Sequence, residues 1–204
     1  MHTTRKITCL VLAGLFLASL EIQPINTNTS PIYISVAQAK TKSHHKETKL
    51  EKSRKDLKTI ISMPMEKENY LNLEKHLMES ANYDDIKDPS NTAAQRKFDN
   101  RLKNIKHINK QTSKMYTKSD IKVLTNSDYK LLKKYKKSLK SYLSDLYDYA
   151  VEYQEAMPVI NNPKTQDNTK QQSQSELDKY KKSFDKSKTK WQNNYDQIMN
   201  LPNK

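Results

Sequence analysis

The clearest pattern along this chain is a series of apolar and aromatic positions between Thr125 and Met157, spaced alternately by three and four residues. Such spacing puts all of them on one face of a helix that packs lengthwise against other helices. Thr125 with Asp128 resembles a helix-capping arrangement and Pro158 a helix stop, so we predict a helix between these limits. The eight positions, called the inner seam below, are Leu132, Tyr135, Leu139, Tyr142, Leu146, Tyr149, Tyr153 and Ala156.

Two further apolar series with helical spacing lie on either side of Pro64, and a third follows them. Proline breaks a helix interior but suits a first turn, so we predict that one helix ends before Pro64 and another begins near it. The first series is Leu50, Leu57, Ile60 and Ile61, the second is Tyr70, Leu73, Leu77 and Ala81, and the third is Ala94, Phe98, Leu102, Ile105, Ile108 and Met115.

The last helix is predicted over residues 176–204. An S-x-x-E capping box from Ser173 to Glu176 marks its start. Ser187 and Asn194 occupy core-type positions in it, which predicts looser packing or a core completed by a partner. Its apolar positions are Leu177, Tyr180, Phe184, Trp191, Ile198 and Leu201.

Three polar segments separate these helices. Residues 40–56 are almost wholly charged or polar and cannot bury enough apolar area to offset the entropy of ordering them. They predict a flexible basic arm whose end could join the first helix. Residues 82–91 predict a loop from their Asp, Asn and Pro content, and residues 161–175 predict a polar linker.

The periodicity after residue 40 predicts an all-α fold, because no segment there reads as a convincing strand. We expect a three- to four-helix bundle with coiled-coil-like seams. Residues 57–160 would supply the first part of this bundle and residues 176–204 its C-terminal helix.

The N-terminal residues predict export. Arg5 and Lys6 precede an apolar stretch over residues 7–20, whose 14 residues fall short of the roughly 20 that span a bilayer. A small-residue A-x-A site ends at Ala39. We predict a signal peptide over residues 1–39, cleaved near Ala39, and a secreted protein that can associate with the cell wall; a retained signal anchor is the alternative.

The residues that follow lack two residue types on which many enzymes depend. The single glycine, Gly14, and the single cysteine, Cys9, both lie in the predicted signal peptide. This leaves no thiolate nucleophile, disulfide or Cys-based zinc site. It also leaves no glycine-rich phosphate loop and no G-x-S-x-G elbow. We therefore predict no catalytic residues, no cofactor and no enzymatic activity.

The charge of the chain points to anionic partners. The formal net charge is +14, and removal of residues 1–39 takes away Arg5, Lys6 and Glu21, which leaves +13. Such a charge favours polyanions. Export favours anionic lipid, sulfated glycans or the teichoic acids of a Gram-positive wall over nucleic acid.

Charges of opposite sign occupy the two halves of the inner-seam helix, in the order that opposes the helix macrodipole. If the last helix runs antiparallel, its lysines would neutralise the acidic half. We predict a salt-sensitive basic pole at the other end, with an ordinary solvated lysine face as the alternative. Its candidate binding residues are Lys106, Lys110, Lys130, Lys133, Lys134, Lys136, Lys137 and Lys140.

Three aromatic residues are candidates for a protein interface. Tyr129 and Tyr147 fall off the inner seam, where a ring beside lysines could contact a partner. Trp191 is expected in the core, with an interface anchor as the second interpretation. We predict no metal site, since the adjacent His44 and His45 lack further ligands, and the aspartates of residues 82–91 lack EF-hand spacing.

Together these features predict a secreted, non-enzymatic interaction protein that binds a protein or an anionic polymer at the cell envelope or in the medium. The alternatives are a membrane-active basic helical protein, which would engage an anionic membrane surface, and an extracytoplasmic chaperone-like holdase. An envelope hydrolase using Glu152 and Glu155 is disfavoured by the missing motifs. Self-association is a further expectation, because the seams could close between chains.

Overall fold

The computed structural model describes residues 47–62, 65–81, 92–114, 116 and 121–202, and 85% of this part is helical. No strand occurs in it, and the helices pack against one another, so the predicted all-α bundle is confirmed. The predicted signal peptide, residues 40–46 of the predicted arm and the loop predicted at 82–91 lie outside the described residues. The helices are α1 (Lys49–Ser62), α2 (Lys67–Ser80), α3 (Thr92–Lys114), α4 (Asn126–Ile160) and α5 (Asp167–Met199).

Helix α4 carries the inner seam as predicted. The Thr125 side chain caps it by accepting a hydrogen bond from the Asp128 N–H over 3.3 Å. Six inner-seam residues are buried, and the other two, Tyr149 and Tyr153, are half-buried. The predicted stop at Pro158 is wrong, because this proline lies inside the last turn. There its missing N–H removes a single hydrogen bond close to the natural end of the helix.

Helix α5 begins at Asp167, well before the predicted start at residue 176, so most of the predicted linker over 161–175 is helical. This prediction failed because it was drawn from the lack of apolar residues. The helical part of the segment instead contains three Gln residues and Lys170, which favour helices, and Asp167 sits in the first turn, where a negative charge is favourable. Because the later apolar residues of α5 pack in the bundle, the helix can extend towards its N-terminus through polar residues that stay exposed.

Helix α1 corrects the prediction of a flexible arm over 40–56, because residues 49–56 are helical. Its N-terminus carries a reciprocal capping box. The Thr48 N–H donates to the Glu51 carboxylate over 2.6 Å, and the Glu51 N–H donates to Thr48 Oγ1 over 3.2 Å. Two otherwise unpaired backbone donors and a carboxylate are thereby satisfied locally.

A tertiary polar contact also holds α1 in place. Ser53 is fully buried, and its hydroxyl accepts the Thr125 N–H over 2.8 Å and donates to the Asp128 carboxylate. Asp128 is itself buried. Hydrogen bonds between buried polar groups thus help to hold α1 against the start of α4, as apolar packing does elsewhere in the bundle. The composition of residues 40–56 alone does not reveal such a contact.

Helices α3 and α5 both run antiparallel to α4. In α5, Tyr195 lies 6.2 Å from Tyr135 between ring centroids, whereas Phe184 lies 5.5 Å from Tyr149. In α3, Gln95 accepts a hydrogen bond from Gln154 over 2.7 Å, whereas Lys106 lies beside Tyr147. Along both helices, residues later in sequence therefore contact earlier turns of α4.

Helices α1 and α2 follow α4 in the same direction. Ser53 of α1 contacts Thr125, and Glu74 of α2 accepts a hydrogen bond from Tyr142 over 2.8 Å. The two short helices thus act as one interrupted rod beside α4. The bundle therefore consists of this rod, α3, α4 and α5.

The core is a stack of aromatic rings between α2, α4 and α5. Trp191 is fully buried and lies parallel to Tyr142, with ring centroids 4.5 Å apart and an angle of 8°. Tyr70 meets Trp191 edge-on at 5.5 Å. The polar residues predicted to loosen α5 are accommodated, since Ser187 donates to the Phe184 carbonyl and Asn194 donates to Ser138. Aromatic stacking and local hydrogen bonds close this core within one chain.

Candidate binding surface

A second seam runs along the outside of α4 with the same spacing as the inner seam. Seven of its eight side chains are exposed, and Val151 is half-buried. It changes character along its length, from basic through small and neutral to mainly acidic. This outer seam comprises Lys130, Lys134, Lys137, Ser141, Ser144, Asp148, Val151 and Glu155.

The basic half of the outer seam belongs to a wider group of exposed lysines. We call this group the basic stripe: Lys130, Lys133, Lys134, Lys137 and Lys140. Among the described residues, no ion pair involves any of the five. Lys133 Nζ lies 5.0 Å from the centroid of the Tyr129 ring, a cation–π contact that leaves the charge accessible. The stripe therefore presents five positive charges over about three turns of helix.

Lys136 points away from this stripe and towards Tyr116, which follows α3 in the chain. It is half-buried, and its Nζ lies 5.6 Å from the centroid of the Tyr116 ring. Burial, followed by the like charge of Lys140, lowers the pKa of Lys136. Lys136 is thus better placed to pack α3 on α4 than to meet a partner.

The structure also separates Lys106 from the predicted basic pole. Its Nζ lies 4.4 Å from the centroid of the Tyr147 ring, and its charge acts to lower the pKa of Asp148. Lys106 therefore accompanies the acidic half of α4, because the register of the antiparallel α3 places it there. Lys110, one turn further along α3, is exposed and lies closer to the basic stripe.

The three candidate interface aromatics are placed differently. Tyr129 and Tyr147 are half-buried beside Lys133 and Lys106 and contact the core. Trp191 is fully buried within the aromatic stack, so its interpretation as an interface anchor is wrong. Trp191 has the same helical spacing as the other apolar residues of α5, and this spacing is why the sequence predicted it in the core.

The acidic half of α4 forms a groove with α5. The groove has a volume of about 510 Å³, and four carboxylates and a single ammonium group line it. Burial, followed by Glu176 and Glu155, raises the pKa of Glu152. Burial, followed by Asp145, raises the pKa of Asp148. The lining residues are Asp145, Asp148, Glu152, Glu176, Lys179, Tyr180 and Ser183.

The lysines of α5 do not neutralise this groove in the way the sequence suggested. Lys188 donates to Glu74 of α2 over 2.6 Å, and Lys181 pairs with Asp185 of its own helix over 2.6 Å. Only Lys179 lines the groove. The groove thus keeps an excess of negative charge, with four carboxylates against the ammonium group of Lys179.

Sequence reasoning placed Lys179 beside the acidic half of α4 but missed the contribution of Glu176 and Ser183 to the groove. Glu176, Lys179 and Ser183 recur at helical spacing, which was a visible signal that they share a face. Which turn of α4 they meet depends on the register of the antiparallel pair, and that register is a tertiary property. Within the described ranges, no three His, Cys, Asp or Glu side chains gather closely enough to hold a metal ion.

None of the described helices combines the length and apolar character needed to cross a bilayer. No protein-family model, no curated protein sequence and no solved structure matches this chain. The charge distribution on the α3–α4–α5 surface is therefore the basis on which a function can be argued.

Proposed function

We propose that this chain is an exported, non-enzymatic binding protein whose basic stripe binds an anionic polymer of the cell envelope. The observation that carries the proposal is the set of five exposed stripe lysines that make no ion pair with any described residue. Charges that are paired within a chain contribute little to a partner, whereas clustered unpaired charges attract a polyanion over a distance.

The spacing of the stripe suits a repeating anion. Successive stripe lysines are one or three positions apart in the sequence, which corresponds to axial steps of up to about 4.5 Å at 1.5 Å per residue. A flexible polymer with regularly spaced phosphates can follow such a row without a shaped pocket. A teichoic acid, with one phosphate in each repeat unit, has this chemistry.

The alternatives receive less support from the fold. Only four large apolar side chains in the described ranges are strongly exposed, namely Leu50, Val123, Tyr180 and Met199. A membrane-active helix needs a broad apolar face, and a holdase needs apolar surface for its clients. The apolar residues of α4 are instead used within the bundle.

The test is binding of a poly(glycerol phosphate) to residues 40–204, measured by calorimetry at low and physiological salt. Residues 45–204 form one compact unit that includes all described helices, so this chain carries the whole described fold. Charge reversal by Lys134→Glu with Lys137→Glu is expected to weaken binding by about tenfold or more. The matched control is Lys182→Glu with Lys186→Glu, which makes the same charge change at exposed positions of α5.

Equal weakening by the two double variants would mean that net charge alone drives binding, and the stripe would lose its role. Absence of polymer binding at low salt would overturn the proposal. A pull-down from envelope extract and serum at physiological salt addresses the other class of partner. A stoichiometric protein retained there would replace the polymer as the ligand.

A further inference from the structure

The charges along the outer seam of α4 are complementary to the same series of charges read in the opposite direction. Read forwards it is Lys-Lys-Lys-Ser-Ser-Asp-Val-Glu, and its midpoint falls between Ser141 and Ser144. Lys137 and Asp148 are equally far from that midpoint, and so are Lys130 and Glu155. Lys134 is matched by Val151 and the adjacent Glu152. Each seam lysine thus has a carboxylate at or beside the mirrored position.

Two antiparallel copies of a helix with this charge order, related by a two-fold axis, would place opposite charges against each other. In an isologous contact, residue i of one copy meets residue j of the other, and j meets i. With the axis at the midpoint, antiparallel copies of α4 would place Lys137 against Asp148 of the other copy, and Lys130 against Glu155. Each pair occurs twice, and the outermost pair lies about 19 Å from the axis.

The outer seam is accessible for such a contact. Helix α3 meets α4 through Tyr147 and Gln154, and Tyr116, which follows α3, contacts Lys136 of α4. Helix α5 meets it through residues such as Ser138 and Asp145, on the opposite side. The outer seam lies between these two contact lines, and the small serines at its centre would let two helices approach closely.

Within one chain, positive charge is in excess at one end of the seam and negative charge at the other, where Lys106 and Lys179 compensate the carboxylates only in part. The basic stripe makes no ion pair among the described residues, and the acidic groove has four carboxylates against Lys179. We infer that two copies of this chain associate antiparallel through the outer seam of α4, each placing its basic half on the acidic half of the other. The second copy supplies at each end the charge that the first copy lacks.

This association is weak and sensitive to salt, because exposed ion pairs contribute little individually and are screened. We expect the dissociation constant to rise by about tenfold between low and physiological salt, because the pairs are exposed to solvent. The dimer covers the lysines that the proposed function assigns to a polymer. A polyanion would therefore compete with dimerisation, although the dimer itself does not depend on the proposed function.

The experiment is sedimentation equilibrium of residues 40–204 at low salt, with two complementary charge-reversal variants. The first is Lys134→Glu with Lys137→Glu, and the second is Asp148→Lys with Glu152→Lys. Each variant alone opposes like charges across the two-fold axis, so self-association is expected to weaken by about tenfold or more. In an equimolar mixture of the two variants, the new carboxylates of the first face the new lysines of the second. A heterodimer as strong as the wild-type dimer is therefore expected.

Lys182→Glu with Lys186→Glu serves as the control and is expected to leave the dimer unchanged. Far-UV circular dichroism of each variant establishes that its helices are intact. A wild-type chain that stays monomeric at low salt would overturn the inference, and so would a mixture that fails to recover the dimer. Failure of polymer binding alone would leave a salt-sensitive dimer, whereas failure of the dimer alone would leave polymer binding intact, so the two outcomes are distinguishable.

Discussion

The inner and outer seams of α4 share one helix and one spacing but have opposite chemistry. Inner-seam residues are apolar or aromatic along the whole helix, and most of them are buried. The outer seam changes from lysine to mainly carboxylate at the middle of the same helix. The inner seam therefore packs within the bundle, whereas the outer seam presents its charges at the surface. This separation allows changes in one seam to be measured without disturbing the other.

The largest expected effect is on the inner side, where the α5 residue Trp191 meets the inner seam. Replacing Trp191 by Ala removes the ring that stacks on Tyr142 and leaves a cavity, so the free energy of unfolding should fall by about 3–5 kcal/mol. Denaturant unfolding followed by circular dichroism measures this change. Val151→Ala on the outer seam is the comparison and should cost less than about 1 kcal/mol. Similar losses from the two variants would contradict the division into inner and outer seams.

An intermediate effect is expected at alkaline pH from buried inner-seam tyrosines. Burial raises the pKa of Tyr135 from 10.0 to about 12, although the Trp191 indole acts in the opposite direction. Between these values the folded chain holds a proton that the unfolded chain loses, so rising pH favours unfolding. The contribution is complete below pH 10 and is lost at about 1.4 kcal/mol per pH unit above it.

Tyr135→Phe is the control for this alkaline effect. Its free energy of unfolding should depend less steeply on pH between 10 and 12 than that of the wild-type chain. Chemical denaturation at several pH values, with tyrosinate absorbance as a second measurement, compares the two. Identical slopes would mean that Tyr135 ionises without opening the core. Burial also raises the pKa values of Tyr70 and Tyr142, so part of the slope should persist in the variant.

The smallest expected effect on stability comes from the outer seam. Lys134→Ala with Lys137→Ala should change the free energy of unfolding by about 0.5 kcal/mol or less, because both side chains are exposed and no described residue pairs with them. The same variant should still lose affinity for a polyanion. A large loss of stability would show that these lysines serve the fold, and the outer seam would then not be free for a partner.

The sequence correctly predicted those helices that are marked by residue spacing or by a capping residue within the helix itself. The inner seam, the apolar series of α2 and α3 and the cap at Thr125 were recognised from spacing and residue type, because periodicity is written within each helix. The same reasoning failed for residues 167–175, where polar composition was taken to indicate a linker, and it left open whether residues 49–56, at the end of the predicted arm, join the first helix. Both segments are helical because capping, helix propensity and anchoring by neighbouring helices replace apolar burial.

The candidate surface was predictable only in part. Segregation of lysines and carboxylates along α4 was visible in the sequence, and the five stripe lysines are exposed as a binding surface needs. No pattern in the sequence indicated that Lys136 turns towards Tyr116 or that Lys106 lies beside Tyr147. Those positions depend on the rotation and register of α3 against α4, which involve residues far apart in the chain.

The sequence by itself determined that this protein is helical, which face of α4 is buried and how charge is ordered along its outer face. These properties depend on neighbours within a few turns of one helix. Only the tertiary structure decided which lysines of α5 pair elsewhere, where Trp191 lies and how Glu176 joins Asp145, Asp148 and Glu152 in one groove. The physical reason is that helix periodicity fixes the direction of a side chain about its own axis, whereas packing between helices fixes which side chains meet.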